Sequence, residues 1–290
     1  MRDSSLIGRF FYPDIDRMKW SGLNKSVQGY GGPGLDLQDL YSRVRDIEKN
    51  SSYWSVEYRL SSDGNAPIPV FSNGSVEGNV LNSIYISAGI HGDEPAGPLA
   101  IMDIIEKELL SKNVSWRIFP FLNPTGLSQN SRTNKNGSDL NRDYHPDNRN
   151  PQIEVFDHIR YLDTCPKFDI SIMIHEDWEA DGFYLYQLHK NNPIRYGSEL
   201  ICYLGDSQGL GLPIDKNPFI DGREADNGVI DVSLLDHIDR PDWPESFLIA
   251  NTLTDLSYTI EAPSDLDLRT RVDMLSESIR FLVRKHTNTD

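Results

Sequence analysis

Residues 82–97 read "NSIYISAGIHGDEPAG". The first seven are an apolar, β-branched run without clean alternation, the pattern of a strand covered on both faces. The run stops in a turn fenced by Gly89, Gly92 and Gly97, and that turn carries His91, Asp93 and Glu94. Glycine supplies the backbone angles such a turn needs. The turn is a poor place for packing and a good place for a metal ion. His91 and Glu94, three residues apart, can aim at one point.

Strand and helix patterns alternate beyond this stretch. Residues 95–112 predict a helix, with Leu99, Met102, Ile105 and Leu109 at three- and four-residue steps. "VSWRIFPFLNP" predicts a strand stopped by Pro124, and "PQIEVFDHIRYLD" a helix opened by Pro151. "FDISIMIHED", "GFYLYQL" and "LSYTIEAPS" predict strands, and "NPIRYGSELICYLG" a helix closed by Gly205. A last helix over 265–285 carries Leu268, Val272, Leu275, Ile279 and Leu282 on one stripe. Upstream, "QGYGGPGLD" leads into a helical "LQDLYSRVRDIEK", then a hairpin of "YWSVEYRL" and "IPVFSNG". The glycine stretch lacks the Gly-Lys-Ser/Thr of a phosphate-binding loop. This alternation argues for an α/β layer fold with a mainly parallel or mixed central sheet. A chain of 290 residues fits one domain. Residues 1–80 read as an N-terminal extension and hairpin region of that domain. Residues 206–247, irregular and rich in Gly, Pro and Asp, read as a lid loop.

In open α/β sheets, sites form beyond the carboxyl ends of the strands. Three predicted strand ends carry charged residues: His91 and Glu94 after the first, His175 in "SIMIHED", and Glu261 in "SYTIEAPS". Two histidines and one carboxylate are a common catalytic zinc set that leaves a fourth position for water. Any one of these residues alone could be a satisfied loop or surface group. Their coincidence at strand ends favours a site holding one zinc ion per chain. The segment "NPTGLSQNSRTNKNGSDLNRDY" adds Arg132, Asn141 and Arg142. An Asn–Arg pair suits a carboxylate, because guanidinium can donate two parallel bonds and the amide a third. Glu176 and Asp177, with Glu179 and Asp181 close behind, would make the rim after His175 acidic. An acidic rim suits a substrate with an amino group near the scissile bond.

A formal charge of −16 argues against nucleic acid and against an anionic membrane face as partners. No segment reaches the apolar length needed to cross a bilayer. The N-terminal residues lack the apolar core of a signal peptide. Cys165 and Cys202 form no CxxC and fit buried thiols in a reducing compartment, so a cytoplasmic location is expected.

"HGDE", "NPTG…R…GSDLNRD", the histidine of "IMIHED" and the glutamate of "TIEAPS" come in the order found in zinc carboxypeptidases of family M14, the carboxypeptidase A type. Residues 83–264 resemble most the small bacterial branch that includes murein-peptide amidases, where an "R…N…GVDLNRN" segment is typical. The resemblance implies a three-layer α/β/α sandwich around a mixed, mainly parallel sheet of about eight strands. It implies that His91, Glu94 and His175 bind zinc and that Glu261 is general base and acid. Arg132 would polarise the scissile carbonyl, and Asn141 and Arg142 would hold the terminal carboxylate of a peptide or amide substrate. Glu176-Asp177-Trp178 departs from the digestive members, which have a small polar residue and a tyrosine there. The tyrosine that caps substrate in those members has no clear counterpart, and Tyr184 and Tyr186 stand nearest to His175 in the chain. An N-acyl amino-acid hydrolase of the aspartoacylase and succinylglutamate desuccinylase type shares the HxxE…H pattern and a "DLNR" segment. "TIEAPS" and the long 125–144 loop favour the peptidase side. A non-catalytic peptide-binding zinc module is a further alternative, and the retention of Glu261 and Arg132 speaks against it.

Overall fold

The computed structural model describes residues 32–73, 82–111, 113–190, 194–205, 209–234 and 239–288. Expectations for residues 1–31, for 74–81 in the hairpin region, and for 206–208 and 235–238 of the lid segment lie outside the described residues.

The strands are β1 (Ser55–Leu60), β2 (Ile68–Ser72), β3 (Asn82–Ala88), β4 (Val114–Phe119), β5 (Ile170–Asp177), β6 (Tyr184–His189), β7 (Phe219–Ile220), β8 (Arg223–Glu224), β9 (Val229–Ser233) and β10 (Leu256–Pro263). Eight of them form one mixed sheet in the order β1-β2-β4-β3-β5-β10-β6-β9, and β7 and β8 pair separately. The central run β4-β3-β5-β10 is parallel. The helices are α1 (Leu37–Asn50), α2 (Ala96–Glu106), α3 (Pro124–Gln129), α4 (Ile153–Leu162), α5 (Gly197–Gly205), α6 (Glu245–Thr252) and α7 (Leu268–Thr287). Helices α1, α2, α5 and α7 bury their apolar stripes with Ile84, Ile86, Ile172, Ile174 and Ile260 on one face of the sheet. Helices α4 and α6 pack with Tyr85, Met173, Tyr184 and Ile230 on the other. Burial on both faces explains why the central strands read as unbroken apolar runs. No helix among the described residues is long and apolar enough to cross a membrane.

Several boundaries differ from the sequence expectation. Helix α2 stops at Glu106, well before residue 112, and Glu108 takes a left-handed φ of 49° just beyond it. Pro124 does not simply end a strand. It opens α3, capped by Asn123, whose side chain accepts the Gly126 N–H at 2.9 Å. The 206–247 segment is not a plain loop. It supplies the edge strand β9 and the β7–β8 hairpin, and α6 starts at its end. Its strands are too short and too closely punctuated by Gly, Asn and Asp to be read from pattern. Both cysteines are free, but Cys165 is only half-buried and Cys202 is exposed on α5, which corrects the expectation of buried thiols.

Candidate metal centre

β3, β5 and β10 are parallel neighbours, so their carboxyl ends lie side by side. His175 stands in direct register with Glu261. Ala88 pairs with Ile174, which sets the 89–94 turn beside the end of β5. Backbone contacts hold that turn. Gly89 has φ of 62°, its carbonyl accepts the Asn123 N–H at 2.8 Å, and Gly92 N–H donates to the Ser131 carbonyl at 3.0 Å. A Cβ at Gly92 would lie 1.9 Å from the Gly126 carbonyl carbon, so only glycine lets the turn press on α3.

Glu94 ends up between the two imidazoles. Its Oε1 lies 2.6 Å from His91 Nδ1 and its Oε2 lies 2.9 Å from His175 Nδ1. The ring centroids are 5.1 Å apart. One donor atom from each residue falls within 4.8 Å of the others, and all three residues are buried. This N, N, O donor set, converging at a strand mouth, fits a divalent ion such as zinc. His91 Nε2 meets Asp139 Oδ1 at 3.2 Å, which fixes Nδ1 as the atom facing the cluster. Asp139 also accepts the Asn141 N–H at 2.9 Å and Arg132 Nε at 3.1 Å. The sequence reading passed over Asp139, although it sits inside the "GSDLNR" motif that supplied Asn141 and Arg142.

The electrostatics follow from this packing. Burial disfavours a charged His91, but Glu94 and Asp139 outweigh it and hold its pKa up at about 9. Burial likewise pushes Glu94 up, yet the two imidazoles keep it well below the usual carboxylate range. Asp139 is low for the same reason, with His91 and then Arg132 overcoming its burial. Glu261 goes the other way. Burial first, then Glu94, Asp177 and Asp221, raise it well above an ordinary glutamate against the pull of His175.

His91, Glu94, His175 and Glu261 line a cavity of about 660 Å³. Arg132, Asn141, Arg142, Asp177, Tyr184 and Tyr186 also contribute to its wall. Arg132 Nη1 lies 3.4 Å from His91 Nδ1 and 3.8 Å from Glu94 Oε1. Arg142 pairs with Asp242 at 3.4 Å, and Asn141 Oδ1 accepts the Glu245 N–H at 2.9 Å. Asp177 accepts the Tyr184 hydroxyl at 3.0 Å, and Tyr186 donates to Asp221. Glu176 is a correction to the expected acidic rim. Its carboxylate is fully buried, accepts the Ala96 N–H at 2.6 Å and is ion-paired with buried Arg271. Consecutive strand residues point to opposite faces, so with His175 turned to the cavity Glu176 must turn to the α2 and α7 side.

The catalytic-domain model of the succinylglutamate desuccinylase/aspartoacylase family matches residues 80–218. Carboxypeptidase SOL1 of Arabidopsis thaliana is 29% identical over 133 residues, which is 39% of this chain and 27% of that protein. A candidate metallopeptidase from Shewanella baltica superposes with a TM-score of 0.71 at 23% identity, covering 86% of this chain and 92% of that one. A metallo-carboxypeptidase from Pseudomonas aeruginosa, in complex with (2-guanidinoethylmercapto)succinic acid, gives 0.61 at 14% identity, over 86% of this chain and 69% of that one. The chain shares the fold of these metallopeptidase and metallo-carboxypeptidase structures. The sheet accounts for the site's position: a mixed sheet with a parallel centre exposes three strand ends at one mouth, and His91, Glu94, His175 and Glu261 occupy that mouth.

Proposed function

We propose that this single domain is a zinc-dependent metallocarboxypeptidase that hydrolyses a C-terminal peptide or peptide-like amide bond. The observation that carries the proposal is the Glu94 carboxylate lying between His91 Nδ1 and His175 Nδ1, with Glu261 in register beside His175. His91, Glu94 and His175 would hold the ion. A zinc ion there would acidify a water and polarise the scissile carbonyl. Glu261, made basic by its burial, takes a proton from the attacking water and returns it to the leaving amine. The Arg132 guanidinium, at the edge of the cluster, bears negative charge as it develops on the carbonyl oxygen. Losing such a donor costs roughly 3–4 kcal/mol of barrier. Asn141 and Arg142 receive the substrate's terminal carboxylate. The dicarboxylate in the Pseudomonas aeruginosa relative supports a carboxylate-binding site in this fold.

The match of residues 80–218 favours a second reading, an N-acyl amino-acid amidohydrolase of the succinylglutamate desuccinylase/aspartoacylase type. Zinc-loaded protein assayed on peptides with free C-termini, on their C-terminal amides and on N-acyl amino acids separates the two. The carboxypeptidase reading expects cleavage of free-acid peptides, lost on chelation. Glu261→Gln should keep its zinc and lose turnover. Cleavage confined to N-acyl amino acids, or a fully active Glu261→Gln, contradicts it.

A further inference from the structure

Behind the cavity wall, four buried side chains from four parts of the chain form one hydrogen-bonded line. Tyr85 on β3 donates its hydroxyl to the Glu245 carboxylate at the start of α6. An ionised Glu245 carboxylate can only accept, and the Tyr85 proton is then spent on it. His158 Nε2 of α4, 3.1 Å from the same hydroxyl oxygen, must then be the donor to it. His158 Nδ1 is left to accept, and the Tyr144 hydroxyl reaches it at 2.9 Å. The order Tyr144 to His158 to Tyr85 to Glu245 has one direction and sets the imidazole as its neutral Nε2–H tautomer. Burial, which pushes the His158 pKa down to about 3, agrees with a neutral ring. Tyr85, Tyr144, His158 and Glu245 are each at most 1% exposed.

The line closes on itself. Tyr144 lies three residues beyond Asn141, and its backbone N–H donates to the Trp243 carbonyl at 3.1 Å. Glu245, two residues beyond Trp243, donates its backbone N–H to Asn141 Oδ1 at 2.9 Å. With Oδ1 turned to the Glu245 N–H, the Asn141 amide is oriented to offer its NH2 donors to the cavity it lines.

We propose that Tyr144, His158, Tyr85 and Glu245 are positioning residues. They form a closed clamp that locks the 141–144 segment to the start of α6, so that Asn141 presents donors to a substrate carboxylate. The inference rests on the reading of Asn141 as a carboxylate ligand. It assigns to these buried groups a part in substrate choice and no part in bond cleavage.

The test compares wild type with Tyr85→Phe, which removes the link to Glu245, and Glu245→Gln, whose Oε1 still accepts from Tyr85. The probes are 2-benzylsuccinate binding to zinc-loaded protein by calorimetry, and KM and kcat for a free-acid peptide and its amide. Tyr85→Phe should weaken 2-benzylsuccinate about tenfold and raise KM for the free acid alike. Its kcat, its zinc content and its KM for the amide should stay near wild type. Glu245→Gln should behave as wild type. Nitrogen-15 correlation spectra should show His158 protonated at Nε2. If Tyr85→Phe fails to fold, Tyr144→Phe opens the ring at its other end and should give the same selective loss. Equal affinity for 2-benzylsuccinate in the variants and wild type overturns the clamp, as does a His158 protonated at Nδ1. A wild type that cleaves no peptide but loses 2-benzylsuccinate on Tyr85→Phe overturns the carboxypeptidase reading and keeps the clamp.

Discussion

His175 and Glu176 are neighbours in the chain, both buried at the end of β5, and they have opposite fates. On the cavity face, His175 meets Glu94 and shares with His91 and Glu261 a mouth whose groups converge on open space. On the other face, Glu176 is saturated by the protein itself. It accepts the first N–H of α2 and pairs with Arg271 of α7, so it ties two helices to the sheet. A buried charged group therefore tells little about function until its partners are counted. Groups that satisfy one another within the protein hold it together, and groups that converge on open space leave room for a ligand.

Substitutions on the two faces should separate these roles. The largest effect belongs to the cavity face. His175→Ala should cut turnover by about 1000-fold or more and abolish metal binding, with a thermal midpoint close to that of the zinc-free wild type. Metal analysis beside a melting curve checks both halves. On the opposite face, Arg271→Met leaves Glu176 buried without its partner and should cost about 3–5 kcal/mol of stability. Whatever folded fraction remains should bind the same amount of zinc, which urea titration with metal analysis would show. An Arg271→Met variant that lost zinc without losing stability would reverse the assignment of the faces.

A smaller effect concerns pH. The folded His158 pKa lies near 3, below the ordinary imidazole value of 6.5. The unfolded chain therefore binds more protons below that value. The contribution of neutral His158 is complete above it and falls as pH drops toward the folded pKa. By about pH 5 the loss should be about 2 kcal/mol. The stability difference between wild type and His158→Phe, measured by denaturant titration at neutral and acidic pH, should shrink by that amount. The smallest effect is the surface control. Arg59→Ala breaks the exposed pair with Glu48 and should change stability by roughly 0.5 kcal/mol or less.

The parts legible in sequence were those with local signals. The apolar run at 82–88, the glycine-fenced turn and the charged strand ends located His91, Glu94, His175 and Glu261 at one mouth. Helix α7 was legible from its stripe. Strand β9 and helix α6 were not, because short segments among Gly, Pro and Asp carry no periodicity. Glu176 was misplaced although strand alternation could have turned it away from the cavity once His175 was assigned to it. Glu245 had no sequence signal. Its partner Tyr85 lies 160 residues away and only the sheet brings them together.

Zinc-edge anomalous diffraction from crystals of the zinc-loaded protein tests the central claim most directly. The account predicts one peak per chain, within bonding distance of His91 Nδ1, Glu94 and His175 Nδ1 and facing Glu261. A peak elsewhere, or no peak in protein that has taken up zinc and retains His91 and His175, would contradict it.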